Sequence, residues 1–366
     1  MICRFLAGCF GAAPIAIVGG LYVDFWNVID RGVSTAAFAG ATFLGPTMGP
    51  IVGEFITKSS LGWRWTAWIT LIVSAFFGII GLVLIPETFE PVLHKRKAER
   101  LRHETKNWAL HAKMDENPVH ARVLLDKYFS KPLVMLFQEP IVSIFYEKHG
   151  MMTNHHQLLA MAIYSSLVYS ILYLIFEAYP YSFEIVRGWE SGIASLPFLG
   201  ILVGILICCI GIAIDTKTRF QRELTRSKKL VLPEARLPPM IVGSFLLPIG
   251  MFWFAWTSDP SISWVPQVLS GIFIGCGIFL VFLPGQIYII DVYLLNANSA
   301  LAATAFARAL MAAGFPLFAT YMYERLGVTW ATSLLGFICI AMVPFPILFY
   351  IYGEKLRAKG KYTCNI

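Results

Sequence analysis

Residues Gly40–Gly53 read GATFLGPTMGPIVG. The run sets Gly40, Gly45, Gly49 and Gly53 around Pro46 and Pro50, inside a stretch that is otherwise apolar. In water such a run breaks into loop. In a bilayer it predicts a helix. Small residues three to five apart form a flat stripe that lets another backbone approach closely. Proline is tolerated there because neighbouring helices and local adjustments re-satisfy the freed carbonyls. The expectation is a helix that packs tightly and bends; the blander reading is one close-packed membrane helix among several.

The rest of the chain supports a membrane setting. Of 366 residues, 57% are hydrophobic and 14% charged, and the mean hydropathy is +0.66. Soluble domains carry about a quarter charged residues. Several stretches run for roughly 18 residues or more without a charge, which is long enough to cross a bilayer. The class is therefore an all-α polytopic membrane protein. The net charge of +7 is not a nucleic-acid signature, because the basic residues fall in short segments between apolar spans, where they report orientation. Cys3, Cys9, Cys208, Cys209, Cys276, Cys339 and Cys364 show no metal-ligand spacing and read as small apolar residues. Met1 leads directly into a span, with no basic segment or small-residue cleavage site of a signal peptide.

Outward from the motif, about nine spans are expected. Three lie in residues 1–85, at Ile2–Val23, Val33–Ile56 and Trp65–Ile85. A charged connector occupies residues 86–140, expected in part as a helix at the membrane surface. Six more spans lie in residues 141–353, at Leu158–Tyr179, Gly192–Ile214, Met240–Thr257, Val265–Tyr288, Ala300–Tyr323 and Thr329–Tyr352, followed by a basic tail at 354–366. The connector, the loop Asp215–Arg236 and the tail are all strongly basic. Counting crossings puts all three on one side, the cytoplasmic one, and Met1 on the other. Three spans before the connector and six after it are unequal halves. If they derive from equal repeats, three helices have no counterpart here.

Further motifs stand in a fixed order: Arg4-Phe5-Leu6-Ala7-Gly8, Trp63-Arg64-Trp65, the run PETFEPVL from Pro86 to Leu93, Phe176-Glu177-Ala178-Tyr179-Pro180, the run PEARLPP from Pro233 to Pro239, the run AGFPLF from Ala313 to Phe318, and Ser333-Leu334-Leu335-Gly336-Phe337. With Gly40–Gly53, they resemble the fungal drug:proton antiporters of the major facilitator superfamily, the twelve-span group of multidrug and polyamine exporters. Gly40–Gly53 is similar to that family's fifth-helix antiporter motif, and Arg4 with Gly8 to its fourth-helix motif. The resemblance implies two six-helix bundles around a central cavity that opens alternately to the two sides, in the plasma membrane. It also implies a monomer that binds a small molecule and protons and needs no cofactor. The family's first three helices, of which the first two help line the cavity, have no counterpart. One departure is Tyr146–Ala162, YEKHGMMTNHHQLLAMA, where polar residues interrupt what resembles a single family helix. It reads as an insertion, of the kind a retained intron translated in frame would leave.

Charges inside spans are costly and so are functional candidates. The resemblance associates Arg4 with proton coupling; snorkelling to the interface is the alternative. Glu177, near the end of its span among Tyr173, Phe176, Tyr179 and Tyr181, is placed to carry a proton or bind a cationic compound, or else to sit in an interfacial aromatic belt. Arg308, early in its span, and Asp291, ending the preceding one, are expected to pair across the short link. Asp24 and Arg31 read as charges holding a cytoplasmic gate. Glu54 replaces a residue that is usually Gly in the family and has no functional account. Tyr169, Tyr173, Phe198, Phe279 and Phe282 are candidate cavity walls. His149, His155 and His156 lack companion ligands at metal spacing, so no metal is expected.

Three function classes follow. The leading one is proton-coupled export of a small hydrophobic or cationic compound by alternating access. The second is a membrane protein that does not transport, or a part of such an exporter. The third, a membrane enzyme, finds no H-E-x-x-H, G-x-S-x-G or paired intramembrane aspartates, so no catalytic residue is assigned.

Overall fold

A computed structural model of the chain describes residues 2–12, 18, 21–22, 26–116, 155–226, 233–293 and 297–357. Among them every regular element is helical. The helices are α1 (Ile2–Gly11), α2 (Val28–Lys58), α3 (Arg64–Leu84), α4 (Glu90–Thr105), α5 (His155–Pro180), α6 (Phe198–Asp215), α7 (Pro238–Trp256), α8 (Trp264–Tyr293), α9 (Ala297–Met342) and α10 (Pro344–Arg357). Six described segments are long and apolar enough to cross a membrane: Arg64–Leu84, Leu158–Val186, Ser191–Arg226, Pro238–Trp256, Trp264–Tyr293 and Ala297–Gly353. Helix α2 is more polar and is not one of them, but its 31 residues span about 46 Å at 1.5 Å per residue.

Ala297–Gly353 contains two crossings. Gly327 interrupts α9 with φ 70° and ψ 166°, a conformation that favours glycine. Before it, the chain runs parallel to α5: Ala303 packs on Ala162, and Tyr323 meets Tyr181 with ring centroids 5.8 Å apart. After it, the chain returns along α7. Trp330 meets Trp256 at 6.2 Å, Ser258 and Thr329 hydroxyls lie 3.2 Å apart, and Gly336 lies against the Phe252 ring. The link expected at Glu324–Gly327 thus narrows to one glycine.

Several boundaries differ from the sequence reading. The continuous described part of the first helix ends at Gly11; residues 13–17, 19–20 and 23 of the expected span lie outside the described residues. The expected loop after Ile214 remains helical through Thr216–Phe220 and Gln221–Arg226. Of the 146–162 insertion, residues 146–154, with His149, lie outside the described residues; α5 starts at His155 and absorbs the rest. In the connector, α4 forms as a basic helix, ending at Lys106 in the left-handed conformation (φ 52°). Residues 117–150 and the tail from 358 lie outside the described residues.

The buried core is built mainly from α5 to α9. Its tightest contacts follow glycine. A Cβ on Gly200 or Gly204 of α6 would strike the Val268 or Ile272 carbonyl oxygen of α8, and one on Gly275 would strike Ile201. A Cβ on Gly277 of α8 would lie 2.6 Å from the Leu247 side chain of α7. These are membrane helices at backbone contact, where small residues replace the hydrophobic drive that lipid does not supply. Helix α2 joins this core through Ala36, Ala39, Phe43 and Ile51. Helix α3 has no buried residue.

The glycine stripe of Gly40–Gly53 behaves differently from the expectation. Gly40 packs on Cys209 of α6; a Cβ added there would lie 3.1 Å from its Sγ. A Cβ added at Gly45, Gly49 or Gly53 would meet no other part of the protein within 4 Å, Pro46 is exposed, and α2 runs through both prolines. The stripe faces away from the packed bundle, so only its first glycine makes a close contact among the described residues. Two substitutions separate the two glycine classes. Gly204→Val should lower stability by about 1–3 kcal/mol through overpacking. Gly49→Ala should change it by less than about 0.5 kcal/mol. Thermal unfolding of the detergent-purified protein reads both.

Candidate functional site

The site lies where α2 meets α8, with side chains of α5 and α9 gathered on α8. Helix α2 runs antiparallel to α6, with Gly32 beside Thr216, Gly40 beside Cys209, and Phe55 beside Gly192. The Cys209 thiol donates to the Ala36 carbonyl at 3.4 Å. This carries Phe43 into the core, 3% exposed, where it meets Phe279 edge-on at 5.9 Å and Phe282 at 5.0 Å. Phe282 stacks on Tyr169 at 6.1 Å, and Tyr169 meets Tyr173 at 5.3 Å. Into this cluster α9 sends Arg308, whose guanidinium carbon lies 4.8 Å from the Tyr169 ring centroid and 4.7 Å from that of Phe282. These separations suit cation–π attraction. Phe198 and Phe279 are fully buried; Phe198 stacks on Tyr179, which stacks on Phe254, each at 4.8 Å. They are core rings in this conformation, not cavity walls. Tyr169, Tyr173 and Phe282 are half-buried.

Arg308 and Asp291 do not pair. Helix α9 begins at Ala297, so Arg308 stands about 16 Å along the axis, well inside the span. Asp291 is instead at the end where Arg31 and Arg236 converge. Its Oδ1 lies 4.0 Å from Arg31 Nη2, and its Oδ2 lies 3.5 Å from Arg236 Nε. Arg236 is nearly buried, with its guanidinium 3.5 Å from the Phe220 centroid. Burial lowers its pKa, and Asp291 partly offsets this. Asp24 lies outside the described residues. The charges converge because the PEARLPP run, the start of α2 and the end of α8 reach one membrane face, a neighbourhood that sequence distance does not reveal.

At the other face Arg187, which the motifs do not single out, ties the loops together. Its Nε donates to Gln267 Oε1 (2.9 Å), Nη1 to the Ile262 carbonyl (2.8 Å), and Nη2 to those of Thr257 (2.8 Å) and Asp259 (3.1 Å). Gln267 in turn donates to Ser182 Oγ at 2.6 Å. Burial lowers the Arg187 pKa, and Asp259 opposes this; a guanidinium stays charged regardless. Lys58 of α2 donates to Glu190 at 3.0 Å. Helix α2 is therefore tied to the six-span bundle by a charge pair at each face, with the aromatic cluster between.

The two expected proton-coupling residues stand apart. Glu177 is exposed on α5, about 12 Å along the axis from Tyr169 and within electrostatic reach of Tyr323. Arg4 is exposed on α1, which has no buried residue. Among the described residues no group of three or more His, Cys, Asp or Glu is arranged to hold a metal.

This architecture is that of an integral membrane protein built from crossing helices, with an arginine set on aromatic rings inside the six-span bundle. The chain belongs to the Major Facilitator Superfamily, whose profile matches residues 1–316. It is 51% identical over 364 residues to the citrinin biosynthesis cluster MFS transporter of Monascus ruber, covering 99% of this chain and 69% of that protein. It is 46% identical to the ascochitine biosynthesis cluster MFS transporter of Didymella fabae (99% and 67%), and 42% identical to the cercosporin MFS transporter of Cercospora nicotianae (99% and 67%). It is thus an MFS transporter.

The charge cluster around Asp291 generates a prediction. Asp291→Asn leaves Arg236 buried without its counter-charge, and removing one member of a buried pair costs about 3 kcal/mol. The variant should unfold at lower temperature than wild type. Arg31→Ala, at the longer and more exposed contact, should cost about 1 kcal/mol or less. Equal losses in the two variants would refute the assignment of Arg236 as the main partner.

Proposed function

We propose that the chain exports a small hydrophobic compound by alternating access, driven by protons moving inward across the plasma membrane. The observation that carries this reading is the placement of the aromatic cluster around Arg308 at the contact of α2 with the six-span bundle. A site shared by two helical units is one whose access changes when they rock against each other. The charge pairs at the two ends of α2 support it. Alternating access requires one end to part while the other holds, and Arg31–Asp291 and Lys58–Glu190 are placed to do so in turn. The exposed Lys58–Glu190 pair is weak, of the order of 1 kcal/mol or less, as a contact that must open repeatedly should be. The cargo is a small product of the kind made by a biosynthesis cluster, in keeping with the names of the relatives.

Proton coupling falls to Glu177, with Arg4 as its basic counterpart in the first helix. An exposed carboxylate can take a proton from one side and lose it to the other, biasing opposite states as cargo binds. A cationic cargo is the second reading, favoured by the same carboxylate.

The test is efflux from sealed vesicles containing the purified full chain, loaded with a fluorescent hydrophobic dye, with and without an imposed pH gradient. Efflux should rise with the gradient and collapse with a protonophore. Glu177→Gln should remove the gradient dependence by about tenfold or more while leaving dye binding intact. Dye movement that ignores the gradient in wild type would overturn proton coupling. Absence of movement under every condition would favour a chain that does not transport alone.

A further inference from the structure

Arg308 has features that the export reading alone does not use. It stands about 16 Å into its span by helix rise, where a cation is costly. Such a cation is normally neutralised by a carboxylate. Among the described residues Arg308 makes no ion pair and no hydrogen bond to protein; its neighbours are the ring faces of Tyr169 and Phe282 at 4.8 and 4.7 Å. The residue is half-buried. Asp291, the acid that chain order would have assigned to it, is held by Arg31 and Arg236.

We infer that Arg308 is the recognition residue for an organic anion, and that the cargo is a planar aromatic or conjugated acid. Resting on the export reading, this specifies the charge and shape of what the site takes. The two rings hold the guanidinium plane but leave its N–H donors unspent, and those donors match a carboxylate or enolate in a two-pronged hydrogen bond. Phe282 and Tyr173, half-buried beside Arg308, offer ring faces and edges on which a flat conjugated body stacks. Phe43 of α2 packs edge-on against Phe282, so a body stacked on Phe282 lies next to the contact of α2 with the six-span bundle. A cation placed in the same position would meet Arg308 as a like charge.

The experiment measures binding of three probes of one shape to the detergent-purified full chain: 2-naphthoate, its uncharged methyl ester, and 2-naphthylmethylammonium. Naphthoate should bind about tenfold or more tighter than either of the others, the size expected of hydrogen bonds to a charged group. Arg308→Gln should abolish that preference while ester binding persists. Arg308→Lys, which keeps the charge and loses the two-pronged geometry, should retain only part of it. This second variant carries the test if Arg308→Gln fails to elute as a monodisperse species. Equal binding of acid and ester by wild type, tighter binding of the ammonium, or an unchanged preference in either variant overturns the inference and leaves export standing. Failure of wild type to bind any probe overturns both the inference and the export reading on which it rests.

Discussion

The packing rests on the close approach of α6, α7 and α8. Lipid gives apolar side chains no reason to prefer one another, so these helices hold together only where their backbones can touch. Gly200 and Gly204 on α6, and Gly275 and Gly277 on α8, provide that contact. Everything downstream leans on it. The position of α8 fixes Phe279 and Phe282, those rings fix where Phe43 of α2 can enter, and together with Tyr169 they hold Arg308. The separation of two faces, one carrying Arg31, Arg236 and Asp291 and the other Arg187 and Lys58, follows from the same antiparallel stacking.

Much of this was legible in the residues. Hydropathy located the six C-terminal spans, because a crossing needs about twenty apolar residues. The order of motifs carried the superfamily. What hydropathy could not supply was which glycines pack. The prominent stripe at Gly40–Gly53 is almost unpartnered beyond Gly40, whereas Gly200, Gly204 and Gly275, the first two four apart, carry the closest approaches. The four-residue spacing was the available signal, but spacing does not say whether a neighbour lies opposite. Charge pairing was hidden for a similar reason. Asp291 and Arg308 are near in sequence, but helical rise separates them, while Arg31 and Arg236 reach Asp291 from distant segments.

The aromatic site also explains why an arginine is tolerated deep in a span. A guanidinium is more weakly hydrated than an ammonium and can lie flat on ring faces, so Tyr169 and Phe282 lower the cost of its position without neutralising it. A lysine would lose most of that benefit. The pairing of Arg236 with Phe220 at 3.5 Å repeats the device near the membrane face, there with Asp291 at hand. The same side chain thus serves a closed charge pair at one level and an open donor set at another.

Helix α2 has a consequence for synthesis. Its thiol contact joins Ala36 to Cys209, 173 positions apart. At about 5–20 residues per second, the helix waits roughly 9–35 s in the bilayer before that partner is made. Its polar side chains suit the wait. The hydroxyls of Thr35, Thr42, Thr47 and Thr57 donate to carbonyls four residues earlier in the same helix, at 2.7–3.0 Å, so they need no other helix to satisfy them. A segment whose partners in the six-span bundle are made later carries its own hydrogen-bond partners with it.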